Sequence, residues 1–211
     1  MKRQKPTFKE EQALRAQGFN FVAGIDEVGR GSLMGPVMAA AVILPENIKG
    51  RWKSKVRDSK QLTPKDREYL YDFICNIAIT FAVGSSTNDE IDTMGISKAT
   101  RIAMVKAVKQ LDPQPQFLLI DYVRLKESYY PQKGIVDGDC LVFSIACASI
   151  IAKVTRDRLV IEMDKDFPGY NFAANKGYGT EEHLACLRVK GPCALHRRSF
   201  SPVSEMTGWK L

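Results

Sequence analysis

Apolar residues occur along this chain in two alternating patterns. Short, nearly continuous apolar runs predict strands buried on both faces, at residues 19–25, 37–44, 79–83 and 117–121. Longer stretches with apolar positions three or four residues apart predict helices, at residues 8–16, from 64 onward, 96–111, 144 to about 165, and 181 to about 188. Strands that alternate with helices predict an α/β domain.

Three threonines mark predicted helix starts. Thr7 precedes the first helix, and Glu10 stands three residues later, as in a capping box. Thr63 is followed by Pro64, which suits the first helical position, and Thr180 precedes the last helix. Each threonine hydroxyl is therefore predicted to accept a hydrogen bond from the start of its helix.

Composition and charge narrow the class of protein. The chain has 211 residues, of which 45% are hydrophobic and 26% charged, as for one well-buried domain. Its net charge of +7 favours a polyanionic partner, nucleic acid first. No apolar run is long enough to cross a bilayer. Residues 7–11, which include three charged side chains, follow the basic start where a signal peptide needs its apolar region. We therefore expect a cytoplasmic protein without a membrane partner, with its five cysteines reduced.

Carboxylates stand at the ends of predicted elements. Asp26 and Glu27 follow the first apolar run, Asp121 ends a central one, and Asp139 precedes the long helix. A sheet can bring such distant carboxylates to one edge, where their oxygens suit hard divalent ions such as Mg²⁺. Two ions there would activate a water and stabilise the leaving 3′ oxygen of an in-line displacement. The sequence therefore predicts phosphodiester chemistry.

Two segments carry candidate substrate contacts. Gly29 and Gly31 allow close approach to the backbone, and Arg30 between them supplies a cation for a phosphate. The same stretch is also compatible with a surface turn of solvated charges. The basic segment 51–60 ends in Ser59 and Lys60, which favours a phosphate-contacting arm over a solvated loop.

A second candidate metal site lies near the end of the chain. His183, Cys186, Cys193 and His196 have the H-x-x-C and C-x-x-H spacings of some zinc sites. However, Cys186 falls inside a predicted helix, and only six residues separate the two pairs. We therefore favour buried thiols and locally hydrogen-bonded histidines over zinc.

Seven motifs occur in order between about residues 20 and 202. They are Gly24-Ile25-Asp26-Glu27-Val28-Gly29-Arg30-Gly31 with Gly35-Pro36, Asp58-Ser59-Lys60-Gln61-Leu62, Ile120-Asp121, Gly138-Asp139, residues 144–157, residues 175–180 and residues 195–200. Together they resemble bacterial ribonuclease HII, within the ribonuclease H-like superfamily. Each motif alone is a modest signal, but the ordered set is highly specific.

That resemblance implies a ribonuclease H-like mixed β-sheet flanked by helices. It implies a single domain over residues 1–211, whose part from about residue 165 forms a C-terminal helical substrate-binding extension. The implied activity is hydrolysis of the RNA strand of RNA–DNA hybrids, and nicking 5′ of ribonucleotides embedded in duplex DNA. Two-metal-ion catalysis with Mg²⁺ or Mn²⁺ would leave 5′-phosphate and 3′-hydroxyl ends. The implied protein is a monomer that serves DNA replication and ribonucleotide excision repair.

The resemblance also assigns roles to individual residues. The implied catalytic and metal-binding carboxylates are Asp26, Glu27, Asp121 and Asp139. The ribose 2′-hydroxyl would be recognised, largely through backbone groups, by Gly29, Arg30 and Gly31. Tyr178 would stack on the next sugar and sense the RNA-to-DNA junction. Phosphate would be held by Ser59 and Lys60.

The chain departs from the family pattern beside two of the carboxylates. Tyr122-Val123 stands where Gly-Asn is usual, and Cys140-Leu141-Val142 stands where Ala-Lys-Ser is usual. Both changes make the rim of the site more apolar, which bears on phosphate contacts and metal preference. Asp137 is a rival for the fourth carboxylate, but the spacing to the helix that begins at Ser144 favours Asp139.

Three other interpretations are weighed against this one. Ribonuclease HIII has a similar core but an extra N-terminal domain, and only about twenty residues precede the first motif here. A catalytically silent hybrid-binding protein would gain nothing from carboxylates near phosphate. A DNA-directed nuclease or resolvase of the same superfamily would not need Tyr178 and the loop 29–31.

Overall fold

A five-stranded mixed sheet forms the centre of the protein in a computed structural model that describes residues 5–206. The basic start of the chain and the last five residues of the predicted domain lie outside the described residues. The strands are β1 (Val22–Val28), β2 (Val37–Ile43), β3 (Thr80–Ser86), β4 (Phe117–Asp121) and β5 (Gln132–Ile135). Their order across the sheet is β3-β2-β1-β4-β5.

The pairing of β1 decides where the candidate site lies. β1 runs antiparallel to β2 and parallel to β4, and Ile25 on β1 pairs with Ile120 on β4. Parallel strands run in the same direction across a sheet. The residues that follow this pair, Asp26 and Asp121, are therefore brought side by side.

Helices cover both faces of the sheet, as predicted. They are α1 (Lys9–Arg15), α2 (Pro64–Ile77), α3 (Asn88–Met94), α4 (Ile96–Lys109), α5 (Gly138–Leu141), α6 (Phe143–Asp166), α7 (Phe172–Asn175) and α8 (Glu181–Lys190). The fully buried β2 lies between α6 and α4. Its alternate residues serve opposite faces, so Ala40 and Val42 pack with α6, whereas Ala41 and Ile43 pack with α4.

Small residues let α6 approach β1 closely. A Cβ atom added at Gly24 would lie 2.3 Å from the main-chain carbonyl carbon of Ser144. The first part of α6 is buried through residue 152 and rich in alanine and serine. This close contact fixes the helix that follows Asp139 against the strand that carries Asp26.

The first strand extends further than its apolar run predicts. β1 continues through Val28, and Asp26 and Glu27 pair with Ala40 and Ala39 of β2. The prediction that both carboxylates follow the end of the strand is therefore wrong. The partners on β2 carry only methyl side chains, so the backbone ladder continues past the two charged residues.

Two of the three predicted helix caps are confirmed. Thr63 Oγ1 accepts a hydrogen bond from the Asp66 amide at 3.1 Å, and Thr180 Oγ1 accepts one from the His183 amide at 3.3 Å. The cap at Thr7 is wrong, because α1 has Phe8 at its N-cap without a side-chain hydrogen bond. Thr7 instead exchanges backbone hydrogen bonds with the segment between α5 and α6.

The C-terminal part packs on the loop that follows β1. Leu33 and Met34 from this loop share an apolar cluster with Phe172, Leu187 and Val203. Met34 also forms an antiparallel bridge with a residue of the C-terminal segment. The substrate-binding role of this extension stays a prediction. Among the described helices, none combines the length and the apolar character that crossing a membrane requires.

Candidate active site

Three of the four predicted catalytic carboxylates form one group. One carboxylate oxygen from each of Asp26, Glu27 and Asp121 lies within 4.8 Å of the other two. β1 supplies the first two residues, and the end of β4 supplies the third. Asp26 is only 5% exposed, so its charge is held close to two like charges with little water around it.

Hydrogen bonds reach one oxygen of each carboxylate in this group, and one buried oxygen of Glu27 has no partner among the described residues. The Glu27 amide donates to Asp26 Oδ1 at 2.7 Å, and the Gly138 amide donates to Asp121 Oδ1 at 2.7 Å. Arg30 Nη1 lies 3.4 Å from Glu27 Oε1. Among the described residues, Glu27 Oε2 is buried without a hydrogen-bond partner. Such an oxygen is costly unless a ligand contacts it.

Asp139 adjoins this group from α5. It is 7% exposed, and one of its oxygens lies within 4.8 Å of ligand atoms of Asp58 and Cys140. Lys60 Nζ lies 4.0 Å from Asp139 Oδ2. The rival residue, Asp137, is exposed. Asp139 thus lies buried in a separate group of three ligands, and its assignment as the fourth catalytic carboxylate in preference to Asp137 stays a prediction.

Burial and mutual repulsion raise the pKa values of these carboxyls. Burial raises the pKa of Asp26 well above its usual range, and the neighbouring carboxylates raise it further. Burial and then the charge of Asp58 raise the pKa of Asp139 to about 6. Burial would lower the pKa of the Lys60 ammonium, but the carboxylates around it raise that pKa overall. The site therefore favours added positive charge.

The residues present fit a hard divalent ion. Asp26, Glu27 and Asp121 offer carboxylate oxygens within reach of one ion, which is the ligand type that Mg²⁺ and Mn²⁺ prefer. The unpartnered Glu27 Oε2 and the raised carboxyl pKa values are both relieved by a cation. Asp139 lies next to this set, where it could hold a second ion.

A cleft of about 510 Å³ runs from the carboxylates along the glycine loop. All six predicted substrate-binding residues line it, namely Gly29, Arg30, Gly31, Ser59, Lys60 and Tyr178. Glu27 also lines this cleft, so the cleft and the carboxylate group are continuous. The structure thus brings together residues that are far apart in the sequence.

Three further polar side chains that line the cleft were missed from the sequence: Arg67, Ser149 and Lys153. Arg67 donates to the carbonyl oxygens of Ser59 and Leu62, at 2.9 and 2.7 Å. Ser149 and Ser59 share a hydrogen bond of 2.9 Å between their hydroxyls. Lys153 could have been found from the sequence, because it is the first charged residue after the apolar half of the predicted long helix. Asp58 was also missed, although its motif was recognised.

Tyr178 lines the same cleft as Glu27 and the glycine loop. Lys153 Nζ lies 5.6 Å from the centre of its ring, within the range of a cation–π contact. The Tyr178 carbonyl oxygen lies 2.9 Å from His183 Nδ1 on α8. The tyrosine is thus held through its backbone by the C-terminal part of the chain.

The candidate zinc residues are engaged in hydrogen bonds. The Nε2 atoms of His183 and His196 lie 3.1 Å apart, and Cys193 Sγ lies 3.2 Å from His196 Nδ1. Cys186 lies on α8, as predicted. These contacts agree with the interpretation as locally hydrogen-bonded histidines. All five cysteines are free thiols.

Comparisons with known proteins agree on one family. The family model for ribonuclease HII matches residues 23–203. A ribonuclease HII from Dehalococcoides mccartyi is 56% identical over 201 residues, which cover 95% of each chain.

Solved structures share the fold. The crystal structure of ribonuclease H2 from Pyrococcus horikoshii superposes with a TM-score of 0.70 at 26% identity, covering 87% of this chain and 95% of that one. A structure of Bst-RNase HIII in complex with Mn²⁺ gives a TM-score of 0.67 at 21% identity, covering 92% and 71%. The chain belongs to the bacterial ribonuclease HII family, and it is therefore a ribonuclease H, an endoribonuclease of RNA–DNA hybrids.

Proposed function

We propose that this ribonuclease H also nicks duplex DNA on the 5′ side of an embedded ribonucleotide, leaving 5′-phosphate and 3′-hydroxyl ends. The observation that carries the proposal is the continuity between the carboxylate group and the cleft. Glu27 belongs to both, and the loop 29–31 and Tyr178 line the same cleft. A strand in the cleft would therefore present its phosphate, its ribose and the next sugar to different residues in turn.

The carboxylates are proposed to hold two divalent ions, Mg²⁺ or Mn²⁺, through Asp26, Glu27, Asp121 and Asp139. When bound, such ions activate a water and stabilise the leaving 3′ oxygen. Arg30 and Lys60 lie 3.4 and 4.0 Å from carboxylate oxygens. Their charges offset part of the repulsion that a phosphate would meet at this site.

The glycine loop is proposed to read the ribose through Gly29, Arg30 and Gly31. Within the described residues, the amides of Arg30 and Gly31 donate no hydrogen bond. A Cβ atom added at Gly31 would meet nothing within 4 Å, so the backbone there is open to a ligand. A 2′-hydroxyl can accept a hydrogen bond from such an amide, and it is the group that distinguishes ribose from deoxyribose.

The remaining lining residues are proposed to hold the rest of the strand. The Tyr178 ring would stack on the next sugar and so test for the RNA-to-DNA junction. Ser59 and Lys60 would hold phosphate, with the neighbouring cations Arg67 and Lys153 on the same wall. The part of the chain from about residue 165 would serve as the substrate-binding extension, since it carries Tyr178.

The proposed substrates are RNA–DNA hybrids and ribonucleotide-containing duplex DNA. The net charge of +7 supports a polyanionic partner. We further propose that the protein acts as a cytoplasmic monomer in DNA replication and ribonucleotide excision repair.

The test uses duplex DNA that contains one ribonucleotide, incubated with Mg²⁺, with Mn²⁺ and with EDTA. We expect nicking on the 5′ side of the ribonucleotide with a metal and none with EDTA. Asp26→Asn should abolish the nicking, whereas the matched change Asp137→Asn, at an exposed carboxylate nearby, should leave it intact. Absence of nicking with either metal would refute the proposal, and equal cleavage of all-DNA duplex would indicate a DNA-directed nuclease.

A further inference from the structure

Two buried arginines lie beneath the glycine loop. Arg156 on α6 and Arg197 in the C-terminal segment are both fully buried. Among the described residues, neither forms an ion pair with a carboxylate. Burying a guanidinium without a carboxylate partner is costly, so their hydrogen bonds must serve another purpose.

Arg197 holds the first two carbonyl groups of the loop. Its Nη2 donates to the Gly29 carbonyl at 2.7 Å and its Nη1 to the Arg30 carbonyl at 2.8 Å, while Nε donates to the Gly35 carbonyl at 3.1 Å. In a trans peptide, the carbonyl and the following amide point in opposite directions. The amides of Arg30 and Gly31 are therefore turned away from the buried arginine, toward the cleft.

Arg156 ties the same loop to the turn before Tyr178. Its Nε donates to the Pro36 carbonyl at 3.1 Å, its Nη2 to Ser32 Oγ at 2.8 Å and its Nη1 to the Lys176 carbonyl at 3.0 Å. A Cβ atom added at Gly29, which has φ +85°, would lie 2.3 Å from Arg156 Nε. The first glycine of the loop is thus required by the arginine beneath it.

Arginine side chains stay protonated in proteins, so both guanidinium groups carry a positive charge. Burial, together with the nearby Arg156, lowers the pKa of Arg197 to about 9, and burial also lowers the pKa of Arg156. Two positive charges therefore lie directly beneath a loop that faces the cleft. Their field adds to the attraction of the cleft for phosphate.

We propose that Arg156 and Arg197 are positioning residues for ribose discrimination. They hold the loop carbonyls inward, and this sets the amides of Arg30 and Gly31 at the position of the 2′-hydroxyl. The inference rests on the proposed reading of ribose by this loop. It requires that loss of the two Arg197 hydrogen bonds to the loop carbonyls weakens binding of a ribonucleotide-containing duplex more than binding of all-DNA duplex.

Arg197→Lys tests this requirement, because lysine keeps the charge but cannot donate to two carbonyl groups as a planar fork. Affinity is measured in EDTA for two duplexes that differ by one 2′-hydroxyl, and KM and kcat are measured with Mn²⁺. We expect the affinity preference for the ribonucleotide to fall about tenfold, as for loss of oriented hydrogen bonds. KM should rise by a similar factor, with kcat within about threefold of wild type.

Controls separate this role from general stability. Arg188→Ala removes an exposed arginine of α8 and should leave the preference unchanged. Thermal unfolding checks that Arg197→Lys folds. If it does not, Ser32→Ala is used instead, because it removes the hydroxyl that accepts from Arg156 Nη2 at 2.8 Å and donates to the Met34 carbonyl at 3.0 Å. It should still reduce the preference by about two- to fivefold.

The inference is overturned if the folded variants keep the wild-type preference, or if only kcat falls while KM is unchanged. A wild-type protein without any preference would instead refute the proposed ribose reading itself.

Discussion

His183 and His196 face each other inside the C-terminal part, with their Nε2 atoms 3.1 Å apart. His183 Nδ1 lies 2.9 Å from the Tyr178 carbonyl, so this nitrogen carries a proton and donates. The Cys193 amide donates to His196 Nδ1 at 2.9 Å, so His196 carries its proton on Nε2. One tautomer of each neutral ring therefore satisfies the whole chain of hydrogen bonds.

This pair makes the free energy of unfolding depend on pH. Burial and the His183 ring lower the pKa of His196 to about 4, below the ordinary value of 6.5. Between these values the unfolded state binds more protons, so stability is complete above pH 6.5 and is lost as the pH falls toward 4. We expect His196→Gln to reduce this pH-dependent loss by about 3 kcal/mol, measured by urea unfolding at a series of pH values. If the free energy of unfolding of His196→Gln falls with pH as steeply as that of wild type, the pH dependence does not come from His196.

The carboxylates have the opposite pH dependence. Burial and the charge of Asp58 raise the pKa of Asp139 to about 6, above its ordinary value of 3.8. The folded state then binds more protons than the unfolded state, so stability falls as the pH rises through this window. Asp139→Asn should therefore stabilise the metal-free protein at pH 7 by about 1–2 kcal/mol while it abolishes cleavage.

Urea unfolding in EDTA measures this gain, with Asp137→Asn as the control that should change neither stability nor activity. Added Mg²⁺ should stabilise the wild type more than Asp139→Asn, because a ligand stabilises the state that binds it. A less stable Asp139→Asn protein in EDTA would contradict this prediction, because the repulsion between Asp139 and the neighbouring carboxylates would then not destabilise the fold.

Lys60 should matter for binding more than for stability. Its side chain is 83% exposed and lies 4.0 Å from the Asp139 carboxylate, and such exposed pairs contribute little to folding. Lys60→Ala should weaken binding of ribonucleotide-containing duplex and lower the slope of log affinity against log salt by about one. Binding across a salt series measures both effects. Lys98→Ala, at an exposed lysine on α4, should keep the wild-type slope.

The ring of Tyr178 should matter more than its hydroxyl. Stacking of an aromatic ring on a base contributes about 1–3 kcal/mol, and we expect contact with a sugar to lie at the low end, so Tyr178→Ala should lower kcat/KM on a single embedded ribonucleotide by about fivefold or more. Tyr178→Phe keeps the ring and should retain most of the activity. Tyr129→Ala changes an exposed tyrosine that does not line the cleft, and it should behave as wild type. Equal losses in the alanine and phenylalanine variants would rule out stacking.

Much of the fold follows from local patterns in the sequence. The apolar runs predict β2 and β4 within one residue of their ends, because strands buried on both faces have no polar positions. The caps at Thr63 and Thr180 are correct because a cap depends on neighbouring residues only. The carboxylates were found because each adjoins such an element.

The features that local patterns missed depend on distant partners. β5 lies at the edge of the sheet, so its mostly polar sequence carries no strand signal. Thr7 pairs with the backbone near Val142 and therefore does not cap α1. Arg67 and Asp58 reach the site through contacts that form only in the folded chain.

Arg197 lies 167 residues beyond Arg30, whose carbonyl it holds. During synthesis, β1, β4 and α5 emerge with all four carboxylates well before this arginine does. Until Arg197 is in place, the carbonyl groups of Gly29 and Arg30 lack the guanidinium donors that hold them inward. The order of translation thus gives the growing chain its proposed metal ligands first and the anchor of its proposed sugar selectivity last.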